Sequence, residues 1–238
     1  MRTAYTVFRN LYNVRKMTMK LVLASGSQRR RELLTMCGYD YEIIVSNADE
    51  TIDESDPENF VRALSFRKAK EVFDRLFAAG RRDFAVIGSD TVVAFQKEGG
   101  TKPVIIGKPK DAEDAVRILS MLSGKTHRVF TGVSVIADIP DENAAAQCSI
   151  REKAEIQTEC SITEVTFETL SPDEIMDYVN SGDPLDKAGS YGIQGPFGMF
   201  VREIRGNYFT VIGMPIPVLY KMLKKIGILP HGFYERIE

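Results

Sequence analysis

Residues 21–33, "LVLASGSQRRREL", set three arginines, Arg29, Arg30 and Arg31, where an apolar run gives way to a helix start. The first turn of a helix already carries partial positive charge from its unbonded N–H groups. Guanidinium groups crowd there favourably only with an anion among them. Ser25, Gly26 and Ser27 are small enough to leave backbone N–H groups open to a ligand. Arg29 and Arg30 add forked donors that match phosphate oxygens. The competing reading is a solvated basic turn, which is the reading for Arg31. No Walker lysine and no G-x-G-x-x-G spacing is present, so neither named phosphate loop applies.

Further along, Asp90 lies between the apolar runs "FAVIG" and "TVVAF". A carboxylate there is costly to bury unless paired, protonated or metal-bound. It is either a turn aspartate at a bend made by Gly88 and Ser89, or a site carboxylate at a sheet edge. The acidic loop supplies Asp49, Glu50, Asp53 and Glu54, most of them ordinary solvated charges, and one of them meeting Asp90 would give two carboxylates, a hard-oxygen site suited to Mg²⁺ or Mn²⁺. Lys68 sits in a long helix, where lysine is ordinarily a surface residue. Lys108 is framed by Gly107 and Pro109, which fix the local backbone. His127 reads as a structural hydrogen-bonder without an obvious partner. In "LDKAGSYGIQG", Lys187 and Gln194 accompany glycines at 189, 192 and 195. The Gln194 amide has a donor and an acceptor for an imide edge such as that of uracil or thymine, although a rotating amide does not by itself exclude cytosine.

The elements that must position these residues follow from pattern. "KLVLAS", "YDYEIIVS", "FAVIGSDTVVAF", "HRVFTGVSVIAD" and "AEIQTECSITEVTFETL" read as strands, the third interrupted at residues 88–91. "QKEGGTKPVIIGKP" reads as a hairpin with Gly99 and Gly100 at its tip. Helices are expected over "SQRRRELLTMCG" (Ser27 cap, Gly38 terminator), from about 57 to 79 with Pro57 in the first turn, over "DAEDAVRILSMLSG", over "SPDEIMDYVNSG" with a Ser171–Glu174 capping box, and over "IPVLYKMLKKIG". "GMFVREIRG" and "YFTVIGMP" look strand-like. The sum is a mixed α/β protein whose twisted sheet carries antiparallel pairs.

Composition narrows the class. Apolar residues at 44% supply a sizeable core, so 238 residues form one large domain or two lobes sharing a core. With a net charge of -2, nothing suggests broad electrostatic binding to nucleic acid or an anionic membrane, so any basic site is local. Three scattered cysteines suggest a reducing compartment, and two histidines argue against a histidine-rich zinc site. No apolar run is long enough to cross a bilayer. Residues 1–19 hold four basic residues, Arg2, Arg9, Arg15 and Lys16, and no acid, as a non-essential leader or an organelle-targeting segment would.

Taken together, "LASGSQRRRELL", "DETIDE", "RKAKEV", "GSDTVV", "GKPKDAEDAVRILSMLSGKTHRVFTGV", "TEVTF", "DKAGSYGIQG" and "VIGMP" resemble the Maf family of nucleoside triphosphate pyrophosphatases, in order from about residue 20 to 226. The resemblance implies a catalytic domain over 20–230, a strongly curved mixed sheet flanked by helices, and two lobes around a central cleft, as in inosine triphosphate pyrophosphatase. It also implies a divalent cation, homodimerisation and a cytoplasmic home. The activity implied is cleavage of dTTP and UTP to the monophosphate and pyrophosphate. Alternatives are clearing of methylated or otherwise modified nucleotides, and a nucleotide-binding regulator of cell division with little turnover. Asp90 matches the family's proton acceptor and Glu50 matches a position of the polar cleft, and the two together are expected to hold the metal. Arg29, Thr91 and Gln194 match positions linked to substrate choice. Ser25, Arg30, Lys68, Lys108 and Lys187 match the remaining polar cleft. Gln28 stands where proline is frequent and Ser89 where alanine is common.

Overall fold

The computed structural model describes residues 19–96, 99–100, 102–139 and 154–231. The basic leader up to residue 18, most of the loop before β6 and Cys148 lie outside them. Seven strands form one mixed sheet: β1 (Lys20–Leu23), β2 (Tyr41–Ile43), β3 (Phe84–Phe95), β4 (Val104–Ile106), β5 (Thr126–Asp138), β6 (Ala154–Phe167) and β7 (Val201–Arg205). Their order is β2-β1-β3-β5-β6-β7, with β4 also paired to β3. β1 runs parallel to β2 and β3, and the remaining pairs are antiparallel. The helices are α1 (Gln28–Met36), α2 (Pro57–Ala78), α3 (Ala112–Leu122), α4 (Pro172–Asn180), α5 (Tyr208–Ile212) and α6 (Ile216–Lys225).

Most of these elements stand where the pattern puts them, with their terminators. Asp56 accepts a hydrogen bond from Asn59 N (2.9 Å) and starts α2 with Pro57 in its first turn. The capping box at Ser171 and Glu174 is complete. Two expectations are corrected. β3 is one unbroken strand of 12 residues, with Asp90 inside it rather than at a bend. Its continuous ladder with β5, from Ala85↔Ala137 to Ala94↔Arg128, holds it straight through Gly88 and Ser89. Residues 208–212 form α5, not a strand. Asn207 accepts from Phe209 N (2.8 Å) to start it, and Gly213 at φ 108° ends it.

The two faces of the sheet are used differently. Among the described residues one is covered by α2, packed on Val22, Phe84, Val86 and Ile136 at one end and on Val92, Ala94 and Phe130 at the other. Gly88 and Gly132 bring it unusually close. A Cβ at Gly88 would stand 2.1 Å from Ser65 O, and one at Gly132 2.2 Å from Val61 O. The opposite face carries two separate apolar clusters. One joins α1 and α6 to Leu21, Leu23, Ala85 and Ile87. The other joins α3 and α4 to Val93, Phe95, Val129 and Phe167. Between them runs a hydroxyl seam. Thr91, Thr131 and Ser161 are in register across β3, β5 and β6. Thr91 and Thr131 hydroxyls lie 3.0 Å apart, Thr131 donates to Thr210 O (2.7 Å), and Ser161 meets the Thr210 hydroxyl at 2.7 Å. This buried polar seam interrupts the apolar packing and divides the face into two lobes.

Candidate active site

The cleft follows from how β3 is bordered. On one edge it pairs with β5 almost throughout. On the other, β1 pairs with Phe84–Ile87 and β4 with Val93–Phe95. Residues 88–92 are left without a strand neighbour on that edge, and Asp90 and Thr91 project there to opposite faces. A cleft of about 500 Å³ opens at this gap, and all ten residues singled out from the sequence line it.

α1 delivers the arginines. Ser27 stands at its N-cap position but makes no side-chain capping bond, and the first turn holds no acid. Arg30 is fixed by three bonds: Nε to Gly213 O (2.8 Å), one terminal nitrogen to Ser25 Oγ (3.1 Å), the other to Thr91 Oγ1 (3.3 Å). Burial pulls its pKa below the ordinary value, and the Asp90 charge pulls it back up. A guanidinium remains charged under such forces. Arg29 reaches the other wall, with one terminal nitrogen 3.0 Å from Asp186 Oδ2 and the other 3.4 Å from the Asp186 carbonyl. Arg31, expected in solvent, also lines the cleft.

α2 delivers Lys68 from the opposite face. The two glycines draw the helix onto the sheet, so Lys68 Nζ lies 2.7 Å from Asp90 Oδ1 and 2.9 Å from Glu50 Oε1. Asp90 is buried, whereas Glu50 is exposed. Arg67 straps the loop that carries Glu50 onto α2, donating to Asp49 O (2.8 Å) and Thr51 O (2.9 Å). The two carboxylates thus meet one cation from two elements. Among the described residues no group of three or more His, Cys, Asp or Glu is gathered. Two carboxylates are nevertheless the usual protein share for Mg²⁺, whose other ligands are water and substrate phosphate. The donor set fits such an ion.

The third wall is the segment between α4 and β7. Lys187 Nζ is held by Asp183 O (2.6 Å), Asp183 Oδ1 (2.9 Å) and Asp186 Oδ1 (2.7 Å). Burial raises the Asp186 pKa, but hydrogen bonding from Lys187 and the Arg29 charge outweigh it, leaving the carboxyl below its ordinary value. The Tyr178 hydroxyl donates to Asp183 Oδ2 (2.5 Å) and accepts from Gly192 N (3.0 Å). The glycines here serve internal packing. A Cβ at Gly189, φ 72°, would meet Val93 Cγ2 at 2.5 Å, and one at Gly192 would meet the Lys187 side chain at 2.6 Å. Gly189 N also donates to Gly107 O (3.0 Å), which ties this wall to the turn bearing Lys108. Lys108 and Gln194 are exposed on the cleft surface.

His127 has a partner after all. Its Nε2 lies 2.9 Å from the buried Tyr191 hydroxyl, and burial pushes its pKa down to about 3. It is a neutral structural group. The pattern did not reveal Asp183, Asp186, Tyr178 or Arg67. The D-x-x-D-K spacing of residues 183–187 was the available signal for the first two, because one turn brings both acids back to the lysine.

Fold and cleft together define a class: a mixed α/β protein with a cation-lined pocket facing a carboxylate pair. The chain belongs to the Maf family, since the family described as Maf-like protein matches residues 20–226. It is 41% identical over 209 residues to the dTTP/UTP pyrophosphatase of Lachnoclostridium phytofermentans, covering 88% of this chain and 96% of that one. The protein of the same name from Bacillus thuringiensis subsp. konkukian is 43% identical over 210 residues, with the same coverage. Among solved structures, the Ham1 protein of Staphylococcus aureus aligns over 87% of this chain and 98% of its own, at 15% identity and a TM-score of 0.44. No helix among the described residues is long and apolar enough to cross a membrane.

Proposed function

We propose that this protein hydrolyses dTTP and UTP to the nucleoside monophosphate and pyrophosphate. The observation that carries the reading is the convergence of Arg29, Arg30, Lys68, Lys108 and Lys187 on the cleft that holds Asp90 and Glu50. The relatives named above supply the substrate class. A triphosphate brings about four negative charges at neutral pH. Such a chain enters a cleft only if cations replace its water, and these five side chains are of the right sign, with a divalent cation expected to offset the carboxylates beside them.

In this reading Arg30 and the open N-terminus of α1 bind phosphate oxygens, and Arg29, Lys108 and Lys187 hold the remainder of the chain. Asp90 accepts a proton from the water that attacks the α-phosphorus, and pyrophosphate departs against the cationic wall. Glu50 and Asp90 are the residues that would hold a divalent cation, which when bound supplies charge withdrawal from the phosphates. Lys68, in contact with both carboxylates, keeps them converged. Gln194 bonds the O4 and N3–H edge of the pyrimidine. Residues 20–230 form the catalytic unit, acting in the cytoplasm as a homodimer.

A panel of normal and modified nucleoside triphosphates, with products identified by chromatography, tests the proposal. It expects monophosphate plus pyrophosphate from dTTP and UTP, lost on chelation and restored by Mg²⁺. Tight nucleotide binding without turnover would replace the enzyme reading with a sensor. Faster cleavage of a modified nucleotide would move the substrate assignment.

A further inference from the structure

The cations of the cleft are not all held in the same way. Arg30 is satisfied by a carbonyl and two hydroxyls. Lys68 is held by the carboxylate pair. Arg29 and Lys187, in contrast, share a third carboxylate, that of Asp186, one oxygen to each. Its backbone carbonyl also accepts from Arg29, so the guanidinium fork closes on a single residue. Asp186 thereby occupies two of the positively charged groups that face the cleft.

Asp183 and Asp186 differ in how firmly they are held. Asp183 is two-thirds covered and fixed from behind by the Tyr178 hydroxyl, so it anchors Lys187. The Asp186 side chain is 67% exposed and, among the described residues, is held by the two cations it neutralises. One carboxylate oxygen and one carbonyl oxygen of Asp186 fill the two Arg29 donors that would otherwise meet a phosphate edge. An exposed pair of this kind is weakly stabilised and readily exchanged for another anion.

We infer that Asp186 is an internal competitor for the phosphate site, occupying Arg29 and Lys187 in the free protein and yielding them to a polyphosphate chain. The inference deepens the proposed function and rests on its reading that the cleft binds phosphate. Its consequence is selectivity by charge. A triphosphate engages enough cations at once to displace one carboxylate. Pyrophosphate, once cut free, makes fewer contacts, and Asp186 returns to compete with it. Asp186 therefore sets the preference for the whole chain and hastens loss of the product.

The test is calorimetric titration of the full chain, with Mg²⁺ present, in wild type, Asp186→Asn, Arg29→Gln and the double variant. The titrants are inorganic pyrophosphate and a dUTP analogue with a methylene bridge between the α- and β-phosphorus. Removing a competitor that holds two screened ion pairs should tighten pyrophosphate binding roughly 3- to 10-fold. The analogue should gain less. Pyrophosphate inhibition of turnover should strengthen by the same factor. Asp186→Ser should behave like Asp186→Asn, and Asp186→Glu should return affinity towards wild type. The gain should vanish when Arg29→Gln is also present. Unchanged or weaker pyrophosphate binding in Asp186→Asn, with the analogue still bound, would overturn the inference and leave Asp186 as a residue that merely orients Arg29. Failure of the wild-type protein to bind the analogue would overturn the phosphate reading itself, and this inference with it.

Discussion

Replacing Gly88 with alanine should uncouple Asp90 from Lys68, which faces it, without altering any charged residue. The added methyl group points at α2, where Ser65 O lies 2.1 Å away, Ala69 N 2.7 Å and Ala69 Cβ 2.9 Å. These are chiefly backbone atoms of a packed helix, so no rotamer change relieves the contact. Helix or strand must give by about 1 Å to reach ordinary separation. Overpacking of this kind costs about 1–3 kcal/mol. The displacement acts directly on the site, since Lys68 precedes Ala69 and a shift of that size moves the anchor of its 2.7 Å contact with Asp90. A misplacement of about 1 Å is enough to lower turnover by up to about 10²-fold. Urea denaturation measures the first effect, and pyrophosphate release well below the melting temperature measures the second. Gly107→Ala is the stability control, because nothing lies within 4 Å of its added atom. A Gly88→Ala protein with wild-type stability and wild-type turnover would refute the claim that close helix–sheet contact positions the acid.

Other consequences are simpler to check. Asp90→Asn should cut turnover by about 10²–10⁴-fold while nucleotide affinity, measured by calorimetry, persists; an active variant would remove Asp90 from its role. Gln194→Glu should impair dTTP and UTP more than purine triphosphates, and an equal loss for all in competition assays would argue against base reading. Ser89 Oγ is 2.9 Å from both Gly132 O and Gly213 O, so Ser89→Ala should cost about 0.5–1.5 kcal/mol in urea unfolding. The His127 pKa is depressed to about 3 in the folded state, below an unfolded value near 6.5. Its contribution to stability is therefore present above about pH 6.5 and is lost as pH falls towards 3. Between pH 7 and pH 5 this loss should approach roughly 2 kcal/mol, and His127→Gln should flatten that dependence of the unfolding midpoint.

The fold was legible where local chemistry speaks clearly. Pro57, the Ser171–Glu174 box and the β-branched runs of β3 and β5 each announce an element. Residues 208–212 misled because an apolar pentapeptide, "YFTVI", suits a strand or a short helix equally, and only the Asn207 cap and the seam beneath decide. Asp90 was suspected from its apolar neighbours, but its setting was not. The gap in strand pairing at residues 88–92 is a property of the sheet, formed when β1 and β4 part from the same edge. The cleft's cations were legible as residue types in order. Their carboxylate partners were not, because the Arg29–Asp186 contact joins positions 157 residues apart.

Hydrolysis in ¹⁸O-enriched water tests the central claim most directly. Attack at the α-phosphorus, with Asp90 taking the proton and pyrophosphate leaving towards the cationic wall, predicts that a single ¹⁸O appears in dTMP or UMP and none in pyrophosphate. Label in pyrophosphate would mean attack at the β-phosphorus, and would contradict the assignment of the cleft.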